Sequence, residues 1–264
     1  IKANYIIYMK ENKRPLILIT NDDGISAEGI HKLADFVSDM GEVIVAAPDG
    51  PRSGYSTAIT AEMPLRVRTM PDYNGMKMYA VNGTPADCVK LMLYLLARDN
   101  RRPDIVISGI NHGANTGNST VYSGTMGAAL EGALQGMPSA GFSLLSHRPS
   151  AGDFDAARGH IRQIVGKVLA QGLPDWVCLN VNIPCGMEIK GMAMAKSCIG
   201  RWSEEYAEYT DPAGRKFYML TGKYENLEPE NKETDLYHLS QGKISIVPVC
   251  AFRDYEGCLP DFAV

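Results

Sequence analysis

Long hydrophobic runs are missing from this chain of 264 residues. Nowhere do about eighteen apolar residues follow one another, which is the length that a transmembrane helix needs. The N-terminal residues show neither the continuous apolar segment nor the small-residue cleavage site of a secretion signal. These absences argue against a membrane-spanning or exported protein, so the sequence predicts a cytoplasmic protein without a membrane partner.

An excess of basic residues is also missing. The chain has 26 lysines and arginines against 30 aspartates and glutamates, which gives a formal net charge of −4. Proteins that bind DNA, RNA or acidic membranes need clustered positive charge. We therefore do not expect polymeric nucleic acid as a main partner.

Cysteine pairs of the kind that bind zinc or exchange electrons are absent as well. The six cysteines include no C-x-x-C pair and no zinc-finger spacing, and several lie within apolar runs. Cysteine in such a run behaves as a small hydrophobic residue. The pattern is typical of reduced thiols in a cytosolic protein.

The chain does contain a regular alternation of short apolar strands and helices. Strands are predicted at residues 16–20, 43–47, 78–81, 105–108, 140–143 and 177–182, and helices at residues 27–40, 85–98, 125–135 and 153–171. Strands that are apolar on both faces and separated by helices favour a parallel sheet covered on both sides. We predict an α/β fold, a mostly parallel sheet flanked by helices, which binds ligands at the carboxyl ends of its strands.

The last quarter of the chain has a different texture. From about residue 200 it is rich in tyrosine, glutamate and turn residues, and residues 202–210 and 216–221 alternate like a β-hairpin. We divide the chain into a tail or added extension (1–14), an α/β core (15–199), and a hairpin arm with a segment that returns to the core (200–264). An exposed two-stranded arm is marginally stable alone, so we expect it to pair with another subunit of a homo-oligomer.

Two adjacent carboxylates, Asp22 and Asp23, follow the first predicted strand and precede a glycine and a helix. Like charges at the end of a buried strand repel each other, and one carboxylate would take up a proton unless a cation lies between them. Mg²⁺ or Mn²⁺ suits carboxylates and neutral oxygens better than Zn²⁺ does. The alternative is that these residues only cap the following helix, although one aspartate would suffice for that.

Two further loops follow strands and carry oxygen-bearing side chains. In the first, Ser53 offers a hydroxyl to a metal and Gly54 offers a backbone N–H to a phosphate. In the second, Asn111 offers a neutral oxygen to a metal, and His112 is a candidate acid for the leaving group. Each loop alone is also explained as an ordinary polar connection.

The second of these loops ends in a Ser-Gly-Thr sequence that opens a helix. The free N–H groups of a helix N-terminus form an anion site, so we expect phosphate to bind here. The candidates for phosphate binding are Gly54, Asn115, Ser123, Gly124 and Thr125. Neither a Walker A sequence nor a G-x-G-x-x-G motif is present. The carboxyl ends of parallel strands meet at one edge of a sheet, so all three loops are predicted to form one site.

These motifs resemble those of the SurE family, the survival-protein nucleotidases. The matching segments are residues 21–24, 47–56, 82–89, 104–117, 122–125 and 234–248. The resemblance implies a Rossmann-like α/β fold for the core. It also implies one divalent ion per subunit, Mg²⁺ or Mn²⁺, held by Asp22, Asp23, Ser53 and Asn111. It further implies hydrolysis of nucleoside 5′- and 3′-monophosphates, and homodimers or homotetramers built with the extended hairpin and the C-terminal segment.

The expected reaction is in-line attack of a metal-activated water on the phosphomonoester, which releases nucleoside and phosphate. Asp22 or Asp23 would take a proton from that water. Two other functions remain open. A receiver-like Mg²⁺-binding signalling module has an acidic pair after its first strand, and a calcium-assisted nucleoside hydrolase uses adjacent aspartates to cleave the glycosidic bond.

Overall fold

The structure is a computed structural model that describes residues 14–251. The predicted N-terminal tail, apart from Arg14, and the end of the predicted C-terminal segment lie outside the described residues. Within residues 14–251, no helix is both long and apolar enough to cross a bilayer.

The central element is a sheet of nine strands, counted over the described residues. Its strands, in chain order, are β1 (Leu16–Thr20), β2 (Glu42–Pro48), β3 (Val67–Thr69), β4 (Lys77–Val81), β5 (Ile105–His112), β6 (Ser139–Leu144), β7 (Val177–Ile183), β8 (Met192–Met194) and β13 (Ile244–Cys250). Their order across the sheet is β3-β4-β2-β1-β5-β6-β7-β13-β8. β3 is antiparallel to β4, and β13 is antiparallel to β7. In the stretch β4-β2-β1-β5-β6-β7 of this order, each strand is parallel to the next, as the sequence predicted.

Helices cover both faces of this sheet. They are α1 (Glu28–Val37), α2 (Pro85–Arg98), α3 (Gly124–Leu134), α4 (Ala151–Gln171) and α5 (Asp235–Ser240), with a 3₁₀ turn at Gly117–Val121. α1 and α4 pack on one face, where Ile17, Leu33 and Phe154 are buried, and α2 and α3 pack on the other, around Leu18 and Val89. The carboxyl ends of the strands therefore open between two helical layers.

The arm is one long hairpin interrupted in its middle. At its base, β9 (Gly200–Ser203) pairs with β12 (Lys223–Asn226), and at its tip, β10 (Tyr206–Thr210) pairs with β11 (Lys216–Leu220). The chain then forms α5 and returns to the sheet as β13, between β7 and β8. The predicted excursion and return agree with this path.

Candidate active site

Asp22 and Asp23 lie in a tight turn directly after β1. The Asn21 side chain closes the turn, since its Oδ1 accepts from the Gly24 N–H at 3.1 Å and its Nδ2 donates to the Gly24 carbonyl at 3.0 Å. Capping does not explain the acidic pair, because α1 begins after Ala27 and no side chain caps it. The turn thus holds both carboxylates at the carboxyl edge of the sheet.

The environment of this pair disfavours negative charge. Asp22 is only 4% exposed, and burial, with a smaller contribution from the charge of Asp23, raises the pKa of Asp22 to about 6. The Thr125 hydroxyl opposes this shift by donating a hydrogen bond to Asp22 Oδ1. Burial also raises the pKa of Asp23, although His112 partly offsets it. No lysine or arginine within residues 14–251 forms an ion pair with either aspartate.

The loop after β2 reaches this pair through its backbone. The Arg52 N–H donates to the Asp22 carbonyl at 2.7 Å, and the Arg52 guanidinium pairs with Asp49 at 2.9 Å. Ser53 and Gly54 follow at once and are exposed, and Gly54 has a φ of +78°. The predicted donors, the Ser53 hydroxyl and the Gly54 N–H, therefore lie one and two residues after Arg52, which contacts Asp22 directly.

The carboxyl end of β5 reaches the other carboxylate. The His112 N–H donates to Asp23 Oδ2 at 3.4 Å. Its neighbour Asn111 donates from Nδ2 to the Gly113 carbonyl at 2.8 Å, so its Oδ1 points away from that bond and remains an acceptor. The prediction that the strand stops at residue 108 is wrong, because β5 continues to His112 after a register irregularity between Ser108 and Asn111.

The start of α3 completes the cluster. A Cβ added to Gly124 would lie 2.8 Å from Asp22 Cβ and 3.3 Å from the Arg52 carbonyl oxygen, so only glycine allows this approach. Ser123 caps α3, because its Oγ accepts from the Met126 N–H at 3.1 Å. The segments that carry Asp22, Arg52 and Gly124 therefore meet in one place, as the three-loop argument predicted.

Two of the predicted phosphate-binding side chains have partners inside the protein. The Thr125 hydroxyl donates to Asp22. The Asn115 side chain donates from Nδ2 to Ser143 Oγ at 2.8 Å, and its backbone N–H donates to Asn182 Oδ1 at 2.8 Å. Thr125 and Asn115 are thus part of the framework of the site, and their contact with phosphate stays a prediction.

Comparison with known proteins gives a consistent result. The model of the family described as survival protein SurE matches residues 17–204. A protein named 5′-nucleotidase SurE from Bacteroides fragilis is 45% identical over 238 residues, 90% of this chain and 92% of that protein. Another of that name, from Christiangramia forsetii, is 46% identical over 241 residues, 90% of this chain and 91% of that protein.

The chain belongs to the SurE family. The solved structure of the SurE protein from Aquifex aeolicus is 35% identical and superimposes with a TM-score of 0.76, over 90% of this chain and 94% of that one. Both the predicted family and the predicted fold class are therefore confirmed.

Sequence reasoning missed a buried amide network in this SurE protein. Asn180 Nδ2 donates to the Asn115 carbonyl at 2.8 Å and to Thr120 Oγ1 at 3.0 Å, and Asn182 Nδ2 donates to Asn180 Oδ1 at 2.9 Å. Two asparagines on the same face of an otherwise apolar strand were the available signal, because buried amides need partners. The network holds the loop between Asn111 and Ser123 against β7.

The donor set at the SurE site suits a hard cation. No group of three or more histidine, cysteine, aspartate or glutamate side chains within residues 14–251 is placed to hold a metal, so a zinc-type site is not formed there. Two adjacent carboxylates, with a carboxamide at the end of the neighbouring strand and an exposed hydroxyl on the next loop, are the oxygen donors that hard divalent cations accept. A cation would also relieve the repulsion in the buried acidic pair.

Proposed function

We propose that this chain is a 5′-nucleotidase, a phosphoric monoester hydrolase that converts nucleoside 5′- and 3′-monophosphates into nucleoside and phosphate. The observation that carries the proposal is the pair formed by the buried Asp22 and the half-buried Asp23, which the segments of Arg52, His112 and Thr125 contact directly. The name 5′-nucleotidase SurE of relatives at about 45% identity supports the same activity.

The proposal includes one divalent ion, Mg²⁺ or Mn²⁺, held by Asp22, Asp23, Asn111 and Ser53. When bound, such an ion withdraws charge from the phosphoryl oxygens and makes a water molecule more acidic. The carboxylates are held in place by the Asn21 turn, and Asn111 is oriented by its bond to the Gly113 carbonyl. These supports keep the ligand oxygens in a fixed geometry, which metal sites require.

The two aspartates have different surroundings and, we propose, different roles. Asp22 is buried and bonded to Thr125, so it is held as a fixed ligand. Asp23 is less buried than Asp22, which leaves it accessible to accept a proton from the attacking water. We assign the orientation of the phosphate to the free N–H groups at the start of α3, together with the Gly54 N–H.

The test is phosphate release from AMP and GMP with Mg²⁺, Mn²⁺ or EDTA. We expect release to need the divalent ion and to fall by at least about 100-fold in Asp22→Asn and in Asp23→Asn, because each removes a ligand or base. Asp72→Asn is the matched control. Asp72 pairs on the surface with Lys77, which begins β4 and so lies at the amino end of that strand, away from the site. Turnover unchanged by both site substitutions would disprove the assignment.

The two other functions are not favoured. A receiver module would become phosphorylated by acetyl phosphate, and a nucleoside hydrolase would release free base from a nucleoside. In the same assay, chromatography of the products separates nucleoside from base. Nucleoside together with inorganic phosphate is the result that we expect.

We also propose that the protein is a homodimer or homotetramer assembled through the arm. Tyr206, Tyr218 and Leu220 near the tip are 69%, 59% and 72% exposed. Apolar side chains concentrated on a two-stranded ribbon are typical of a surface that another chain covers. This supports the division of the chain into a core and an assembly arm.

A further inference from the structure

Asp235, at the first position of α5, is a buried carboxylate that neither the acidic pair nor the metal site uses. It is 0% exposed, and no lysine, arginine or histidine in the described part of the chain forms an ion pair with it. Burying an uncompensated carboxylate is costly, so its hydrogen bonds are the feature to explain.

Those bonds come from separate segments of the chain. Asp235 Oδ2 accepts from the Gly117 N–H at 2.8 Å, and Oδ1 accepts from the Cys198 N–H at 3.1 Å and the Leu236 N–H at 2.8 Å. Gly117 belongs to the loop that follows β5, and Cys198 lies just before the arm. One carboxylate therefore joins the active-site loop to the root of the arm.

Other contacts at this junction show how closely the two parts fit. A Cβ on Gly117 would lie 2.1 Å from Tyr224 Oη and 2.6 Å from the Cys198 carbonyl oxygen. Asn118 Nδ2 donates to the Gly200 carbonyl, the first residue of β9, at 2.9 Å. The loop thus rests on the arm base through Gly117 and Asn118.

The far side of the same loop is held by the sheet. Asn180 and Asn182 of β7 bind Asn115 and Thr120, and Asn111 and Ser123 lie on either side of the clamped stretch. Two sets of bonds, one from β7 and one from Asp235, therefore fix residues 111–123. Charge-assisted bonds from backbone N–H groups to a carboxylate are the stronger kind.

We infer that Asp235 is a positioning residue for the active site, which fixes Gly117 against the arm base and thereby sets the placement of Asn111, Ser123 and Gly124. The inference rests on the proposed nucleotidase function for its kinetic part. It also makes the arm base a structural neighbour of the reaction centre, so a change at that base alters catalysis without touching a ligand.

The decisive variant is Asp235→Asn, which keeps the shape of the side chain but replaces one acceptor oxygen with a donor. We expect backbone amide hydrogen exchange in residues 113–121 to become faster. We also expect kcat/KM for AMP to fall by at least about tenfold, since a displacement of about 1 Å far from the chemistry has effects of this size or larger. Circular dichroism should show that the variant remains folded at the assay temperature.

Two further variants provide a second test and a control. Asn118→Ala removes the exposed second link to Gly200 with little risk to folding, and we expect smaller changes in the same direction. Asp211→Asn is the matched control, because Asp211 also accepts backbone N–H bonds, from Ala213 and Arg215 at 2.9 Å, but at the tip of the arm. It should leave both exchange in residues 113–121 and kinetics unchanged.

The outcomes separate this inference from the proposed function. Wild-type protein that releases no phosphate would disprove the nucleotidase, while exchange in residues 113–121 would still report on Asp235. Unchanged exchange and unchanged kcat/KM in both Asp235→Asn and Asn118→Ala would overturn the positioning role. The positioning role would also be overturned if the loss of kcat/KM in Asp235→Asn were fully accounted for by the fraction of unfolded protein.

Discussion

Asp22 is held in surroundings that make its charge a liability unless a cation is bound. In the metal-free protein, burial raises its pKa to about 6, whereas an unfolded chain has an aspartate pKa near 4. The folded state then binds the proton more tightly than the unfolded state does. Its contribution to stability is present in full below about pH 4 and is lost as the pH rises to about 6.

The expected outcome concerns the free energy of unfolding in EDTA. Asp22→Asn should be more stable than wild type at pH 7 by up to about 3 kcal/mol, the equivalent of two pKa units, and this advantage should vanish near pH 4. The Asn side chain keeps an oxygen that accepts from Thr125. Denaturant titrations at several pH values measure the difference, and Asp72→Asn should show no such pH dependence. A constant difference between pH 4 and 7 would contradict the burial argument.

At the residue scale, some roles could be predicted from the sequence and others could not. Asp22 and Asp23 stand out because they are adjacent and follow an apolar strand. The bond from Thr125 to Asp22 spans 103 residues, and no local pattern encodes such a pairing. Asp235 was visible only as part of a motif, since its partners Gly117 and Cys198 are brought to it by the arm.

Among the elements, boundaries with strong local signals were predictable. Helix α2 begins and ends where predicted, because Thr84 and Asp87 form a capping box and Pro85 occupies the first turn. Helix α1 ends three residues earlier than predicted, at Val37, where a tighter turn joins the Met40 N–H to the Val37 carbonyl at 2.9 Å. Strand β5 runs past its predicted end because it pairs with β6, a contact that local sequence does not report.

The position of α3 against the loop after β2 depends on a second glycine besides Gly124. A Cβ on Gly127 would lie 1.9 Å from the Ser56 carbonyl oxygen, and backbone atoms cannot move away as a flexible side chain can. We expect Gly127→Ala to destabilise the protein by about 1–3 kcal/mol and to lower phosphate release, because it pushes the loop away from Asp22 and Gly124. Thermal unfolding and the phosphate assay measure both effects.

Helix α4 provides the matched control for that change. A Cβ on Gly159 would meet no atom within 4 Å, and this residue is exposed within the helix. Gly159→Ala should therefore stabilise the protein by up to about 1 kcal/mol, because alanine favours the helix more than glycine does. If both substitutions shifted the unfolding temperature in the same direction, close packing at Gly127 would not be the cause.

At the scale of the whole molecule, the exposed apolar face of the arm is the feature that packing within one chain does not explain. Facing pairs in its register place Tyr206 opposite Leu220 and Glu208 opposite Tyr218. Because side chains alternate between the faces of a strand, these four share one face, and three of them are exposed and apolar or aromatic. Contact with a second copy of this chain would remove that face from water.

We expect the double variant Tyr218→Ser with Leu220→Ser to shift the protein to a smaller assembly, because it removes much of the apolar area that a partner would bury. Light scattering coupled to size exclusion, over a range of concentrations, gives the mass. Lys216→Ser on the same strand is the control, since it removes a charged side chain that pairs with Glu208 and much less apolar area than the double variant does, and it should leave the mass unchanged. A wild-type protein of monomer mass at every concentration, or a double variant of wild-type mass, would show that the arm serves another purpose than assembly.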